Sequence, residues 1–222
     1  MNRFFYLISV LASIPKSLYV CFNLLPLKQA VTLPILVRYN TRICSLRGGV
    51  KLKECRYAVI KFGFGQVDHL GYRSSLRIDG TAIFKGSAFF GQDTTLSVGQ
   101  GSIIEFGKHF TGTGGLLIYC HHHMTIGEDC LVSWNTQIFD TDFHAVKDLS
   151  TGNSSNIKND VFIGEKVWIC SNVTVLKGSN IGDGCIVGSS TLVNHSLKCE
   201  RNCLISGNPA RVTRKNIEIF RN

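Results

Sequence analysis

The chain has 222 residues, enough to bury one large core without metal or disulfide staples, and 44% are hydrophobic against 18% charged, which excludes an intrinsically disordered protein. Its formal charge of +9, from 24 Lys and Arg against 15 Asp and Glu, favours an anionic partner such as a nucleotide-bearing cofactor or a membrane surface. There is no basic run, zinc-finger spacing or RNP-like aromatic segment, so nucleic acid is set aside; nine cysteines, all singles apart from Cys199 and Cys203, fit a reducing compartment.

Residues 1–27 read MNRFFYLISVLASIPKSLYVCFNLLPL, apolar but punctuated by Pro15, Lys16, Asn23 and Pro26. No uninterrupted run reaches the roughly 20 residues of a bilayer span. Hydrophobic patterning continues past any cleavage site, which argues against a signal peptide. The expectation is a helical pair that packs on the body of the protein or makes a peripheral contact with a membrane surface.

Further along, aliphatic and aromatic residues recur at Ile78, Phe84 and Phe90, then at Val98, Ile104, Phe110 and Leu116, then at Ile126, Val132 and Ile138. From Ile157 the spacing becomes strict, with Ile163, Ile169, Val175, Ile181, Val187 and Val193 following at intervals of six. Four places after each aliphatic stands a small or β-branched residue: Val161, Val167, Val173, Ser179, Cys185 and Thr191. Period six fits neither a helix nor plain alternation. It predicts short strands joined by equivalent corners, stacked coil on coil. Gly164, Gly182 and Gly188 directly follow aliphatics, where a corner would use dihedrals that glycine reaches cheaply. Strand edges at the two ends need covers, for which residues 1–45 and 204–222 are the natural candidates around a repeat domain of 46–203.

The hexads, with DTDFH at 140–144, IGEKVWI at 163–169 and SGNPARVTR at 206–214, resemble the hexapeptide-repeat acyltransferases, and most closely their branch of maltose, galactoside and polysaccharide O-acetyltransferases. The likeness covers about residues 60–214. It implies an all-β fold, a left-handed parallel β-helix with a short N-terminal helical segment and a C-terminal cap. It also implies a homotrimer with active sites shared between neighbouring subunits; the cysteine usage places it in the cytoplasm, and the basic charge and apolar residues 1–27 allow a peripheral contact with the inner membrane face. The donor implied is acetyl-CoA and the acceptor a sugar hydroxyl, as in synthesis of a bacterial surface polysaccharide. N-acetylation of an amino sugar, a non-catalytic scaffold and a metal-dependent hydratase are the alternatives.

Within the repeat one segment breaks pattern. Asp142 takes a small-residue slot and His144 an aliphatic one, after which the spacing lapses until Ile157, and residues 145–156 form a polar run that leaves the scaffold. An imidazole there is suited to take a proton from an alcohol near neutral pH. Residues two apart in an extended chain share a face, so Asp142 would orient the ring, with Asp140 as fallback. The resemblance places Trp168 beside the thioester and pantetheine arm, runs that arm along the coils to Ser189 and Ser190, and brings Arg211 and Arg214 to the adenosine phosphates. The chain departs from the family pattern in about two extra residues before GNPA, and in Asn194 and His195 standing where threonine and lysine are usual. CHHHM at 120–124 has the wrong spacing for a metal site, since three adjacent histidines in a strand cannot face one ion; His121 and His123 are read as outward polar residues. Cys120 is read as a small-slot residue and not as a nucleophile.

Overall fold

A computed structural model describes residues 3–65, 73–194, 197 and 200–219; Cys199 and His195 lie outside the described residues. Two helices, α1 (Arg3–Leu24) and α2 (Leu27–Ala30), lead into coils of three strands each. The first coil is β1 (Ile35–Val37), β2 (Arg42–Ser45) and β3 (Gly49–Leu52), and the second β4 (Ile60–Phe62), β5 (Ser75–Ile78) and β6 (Thr81–Phe84). The third is β7 (Ala88–Gln92), β8 (Thr95–Val98) and β9 (Ile103–Phe106), and the fourth β10 (Phe110–Gly114), β11 (Leu117–Cys120) and β12 (His123–Ile126). The fifth is β13 (Leu131–Val132), β14 (Gln137–Phe139) and β15 (Val161–Ile163), and the sixth β16 (Trp168–Ile169), β17 (Thr174–Val175) and β18 (Asn180–Ile181). After β19 (Ile186–Val187) and β20 (Leu192–Val193) come β21 (Cys203–Ser206) and β22 (Arg211–Lys215).

Strands three apart in sequence pair in parallel, except that β19 pairs with β21, giving a prism of three sheets: a first running from β1 to β22 through β13 and β16, a second from β2 to β20, and a third from β3 to β18. Among the described strands only β22 runs antiparallel, folding back on β21 at the C-terminal end. The sheets begin at Ile35, inside the stretch 1–45 that the sequence assigned to an apolar cap, because Ile35 to Val37 pair with Ile60 to Phe62 of the next coil.

Register gives the coil length. Trp168 pairs with Ile186, and Thr174 with Leu192, both 18 residues apart, which is three hexads. Ala88 pairs with Phe110 at 22, so the wider N-terminal coils account for the looser phase in the sequence. Their larger cross-section is filled by phenylalanines: Phe84 stacks on Phe106 at 5.0 Å, and Phe90 meets it edge-on at 5.2 Å. Both registers of the C-terminal hexads from Val161 to Val193 are buried, as is the looser set from Ile78 to Ile138; Ile157, at the return of the excursion, is only half-buried. Cys120, Cys130 and Cys185 fill small slots in the core.

The corners correct one expectation. Left-handed dihedrals fall on columns of stacked residues, Asp93, Gly115, Asn135, Asn172 and Ser190 at one edge and His109, Asp129, Lys166, Gly184 and Asn202 at another, all with φ between 54° and 65°. Gly164, Gly182 and Gly188 are not among the residues of positive φ. Gly164 is needed for clearance: a Cβ there would lie 2.4 Å from Asp183 Oδ1 and 2.7 Å from its backbone nitrogen in the next coil. Gly182 would meet the Glu200 carbonyl oxygen at 2.5 Å, whereas Gly188 sits more loosely, 3.3 Å from Ser206 Cβ.

Helix α1 also differs from expectation, since it runs through Pro15 without a break. Pro15 lies on the exposed side, so the Leu11 carbonyl that loses its helical partner is left to water. By length and composition the stretch Tyr6–Leu24 is sufficient to cross a bilayer, contrary to the sequence reading. Here it packs along β1, with Val20, Cys21 and Leu24 buried.

Coil-to-coil clearance predicts a contrast. At Gly127 a Cβ would fall 2.5 Å from the Gly164 backbone, so Gly127→Ala is expected to lower stability by roughly 1–3 kcal/mol in thermal or urea unfolding. Nothing lies within 4 Å at Gly49, and Gly49→Ala is expected to stay within about 0.5 kcal/mol of wild type.

Candidate active site

The fifth coil is far longer than the one that follows it. Leu131 pairs with Trp168, and Gln137 with Thr174, each 37 residues apart, so this turn of the prism contains 19 residues more than its successor. The surplus leaves the corner between the second and third sheets as a hairpin, tied by antiparallel bridges Thr141 to Lys158 and Lys147 to Ser154. Asp148 closes its tip by accepting from the amides of Ser150 at 2.8 Å and Thr151 at 3.2 Å, and the Ser150 hydroxyl, donating at 2.5 Å, holds that carboxyl below its usual range.

His144 stands on the outgoing strand of this hairpin, exposed to solvent. The residue before it has φ of 60°, a conformation that costs a bulky side chain energy and clusters at functional sites. Phe143 is held there from both sides. Its amide donates to Thr141 Oγ1 at 3.0 Å, and its ring packs edge-on against Tyr119 at 5.8 Å and His121 at 5.3 Å. The turn is completed by the His144 amide donating to the Asp142 carbonyl at 2.7 Å. Anchoring the phenyl on the preceding coil thereby turns the next side chain, the imidazole, away from the core.

The two carboxylates of DTDFH have separate partners. Asp140 is fully buried and accepts the amides of His121 at 2.7 Å and His122 at 2.8 Å, so it serves the corner of the fourth coil. Asp142 does not meet the His144 ring in the single chain, contrary to the orienting role read from the sequence: its Oδ2 lies 2.6 Å from Lys177 Nζ, one coil away. The same ammonium donates to the Asn156 carbonyl on the returning strand, so Lys177 joins the two legs of the hairpin at its base.

The histidine run does not alternate as the strand reading expected, because it turns the corner between β11 and β12: His122 Nε2 lies 3.3 Å and His123 Nδ1 3.9 Å from the same carboxylate of Asp160, while His121 turns to Phe143, its pKa lowered by burial. Burial, reinforced by the Asp140 carboxylate, pushes the Cys120 thiol far up and leaves it a poor nucleophile.

The remaining candidates lie elsewhere on the prism. Trp168 is on the first sheet, half-buried, its indole N–H donating to Ser133 Oγ at 3.1 Å. Ser189 and Ser190 are exposed at the corner between the first and second sheets, and Arg211 and Arg214 are exposed on β22, at the end of the first sheet. One chain therefore groups the Trp168 set along the first sheet and its rim, and holds His144 at a different corner.

Residues 160–195 match the family model described as bacterial transferase hexapeptide (six repeats). The chain is 33% identical over 145 residues to the putative lipopolysaccharide biosynthesis O-acetyl transferase WbbJ of Escherichia coli K12, covering 59% of this chain and 72% of that one. It belongs to the hexapeptide-repeat acyltransferases, in their O-acetyltransferase branch. A shorter match to the polysialic acid O-acetyltransferase of Neisseria meningitidis is 40% identical over 71 residues, 32% of this chain and 33% of that one. In fold, this acyltransferase is similar to the crystal structure of the polySia specific acetyltransferase NeuO, with a TM-score of 0.56 at 22% identity over 85% of this chain and 82% of that one. The prism is thus the left-handed parallel β-helix of the family.

A groove of about 440 Å³ that the sequence reading missed runs along the outer face of the second sheet up to Phe143, with Arg42, Arg77, Tyr119 and His121 among its walls. Its residues come from separate coils and share only the outward phase of period two, which in the sequence looks like ordinary surface. Arg77 also pairs with Asp79 at 3.2 Å.

Asp140 offers a structural test of the corner. Asp140→Ala leaves the His121 and His122 amides without their acceptor and is expected to cost roughly 1–3 kcal/mol in urea unfolding, more than Asp142→Ala on the exposed hairpin.

Proposed function

We propose that the chain transfers an acetyl group from acetyl-CoA to a sugar hydroxyl during assembly of a bacterial surface polysaccharide, as a cytoplasmic homotrimer. The observation that carries this reading is the exposed imidazole of His144, presented on a braced hairpin that leaves the corner between the second and third sheets. His144 removes the hydroxyl proton as the acceptor oxygen attacks the thioester carbonyl. The tetrahedral intermediate then expels the thiolate of CoA, which takes the proton back from the imidazolium. No acyl-enzyme is required.

Asp142 is a positioning residue in this scheme. With Lys177 it fixes the base of the hairpin, and hence where the ring stands. Trp168 packs beside the pantetheine arm, Ser189 and Ser190 lie along its path, and Arg211 and Arg214 meet the phosphates, where guanidinium geometry suits the charge. Because these residues lie along the first sheet and its rim, and His144 at the corner between the second and third sheets, a site that unites them draws the base from one subunit and the cofactor-binding face from its neighbour, which favours the trimer. The groove ending at Phe143 provides the acceptor with a path to the base.

His144→Ala is expected to reduce thiol release from acetyl-CoA, measured with the native glycan as acceptor, by about 10²–10⁴-fold while the melting temperature stays within the range of a surface substitution. Mass spectrometry of that glycan from cells carrying the variant should show the loss of one acetyl mark. Full activity in the folded variant would remove the imidazole from the chemistry.

A further inference from the structure

Helix α1 buries serines along its first two-thirds, ahead of the buried Val20, Cys21 and Leu24 at its C-terminal end. The face set against β1 carries Ser9, Ser13 and Ser17, all buried, while Leu7, Ile8, Leu11, Tyr19 and Phe22 keep 47–64% of their surface exposed. The serines have a structural use. The Val37 amide donates to Ser17 Oγ at 2.8 Å and the Tyr39 amide to Ser13 Oγ at 2.9 Å, while the Ser17 hydroxyl reaches the Val37 carbonyl at 3.2 Å. Strand β1 is the open edge of the first sheet, and its outward backbone groups need polar partners that an apolar helix face would not provide. Once the hydroxyls face inward, the apolar residues at spacings of three and four are left pointing outward. A continuous apolar stripe of this kind on a globular protein marks a surface that binds something.

Charge decides what binds. Residues 1–57 hold nine of the 24 Lys and Arg but only one of the 15 acids, Glu54, so this end carries +8 of the total +9. Lys28, Arg47, Lys51, Lys53 and Arg56 are exposed, and a contact of 3.2 Å between Thr32 Oγ1 and Cys55 Sγ brings the segment bearing Lys53 and Arg56 alongside the helical pair. Tyr19, Tyr39 and Tyr57 are also more than two-fifths exposed, amphipathic rings of the type that settle at a lipid headgroup boundary. A second copy of the chain meeting the stripe symmetrically would bring two +8 ends together, whereas anionic headgroups are attracted to that charge.

We infer that α1 lies along an anionic membrane surface, with the stripe from Leu7 to Phe22 in the headgroup boundary and the basic first coil against the lipid phosphates. This surface lies beyond the catalytic reading and does not depend on it. The prism then stands with its N-terminal end on the bilayer.

The test is co-sedimentation of the full chain with vesicles of phosphatidylcholine alone or containing about 30% phosphatidylglycerol. Binding to the anionic vesicles is expected to be about tenfold tighter or more, to weaken as salt is raised, and to fall at least about tenfold in the double variant Leu11→Glu, Phe22→Glu. That variant should keep its oligomeric mass and its thiol release from acetyl-CoA, so loss of lipid binding is separable from loss of the enzyme. The inference is overturned if the wild type ignores anionic vesicles, or if the double variant binds them as well as the wild type. It is equally overturned if the double variant runs as a smaller oligomer, because the stripe is then a contact between copies.

Discussion

Parallel, in-register stacking of one coil on the next is the constraint from which the rest of this protein follows. Each coil satisfies its backbone through its neighbours, so a residue is fixed less by its own segment than by the residue 18 places away. That is why Ile and Val recur in columns, why small side chains and thiols share the second buried register, and why Asn and Asp collect where the corners turn left-handed. It is also why Gly127 and Gly164 cannot bear a side chain: the next coil's backbone already occupies the space.

Such a stack leaves little freedom for chemistry, because an inward residue is committed to the core and an outward one to a flat sheet. The hairpin between β14 and β15 escapes this by adding residues at a corner while keeping the coils on either side in register. Its base is braced by Lys177, and Phe143 is pinned on Tyr119 and His121. The strained turn at Phe143 is therefore held by the neighbouring coil, and it directs His144 outward.

Much of the fold was legible because a fixed pitch leaves a fixed spacing, and the interruption at His144 was legible for the same reason. What the sequence hid depends on the neighbouring coil. The partner of Asp142 is Lys177, 35 residues on, and nothing in DTDFH names it; the alternation of chain direction suggested the adjacent imidazole instead. The clearance role of Gly164 belongs to Asp183, and the groove beside Phe143 is assembled from β2, β5, β8 and β11. At the N-terminus Pro15 read as a break, yet its ring faces solvent and the helix continues beneath it to cover β1.

The separation of His144 from Trp168 on different sides of one prism is the point on which the catalytic account stands, and mixing subunits tests it most directly. His144→Ala and Trp168→Ala chains, each inactive or weak alone at limiting acetyl-CoA, should recover activity when co-assembled, approaching about a quarter of wild-type sites if a threefold ring mixes at random. A mixture no more active than the mean of the two variants would contradict a site built between neighbouring subunits.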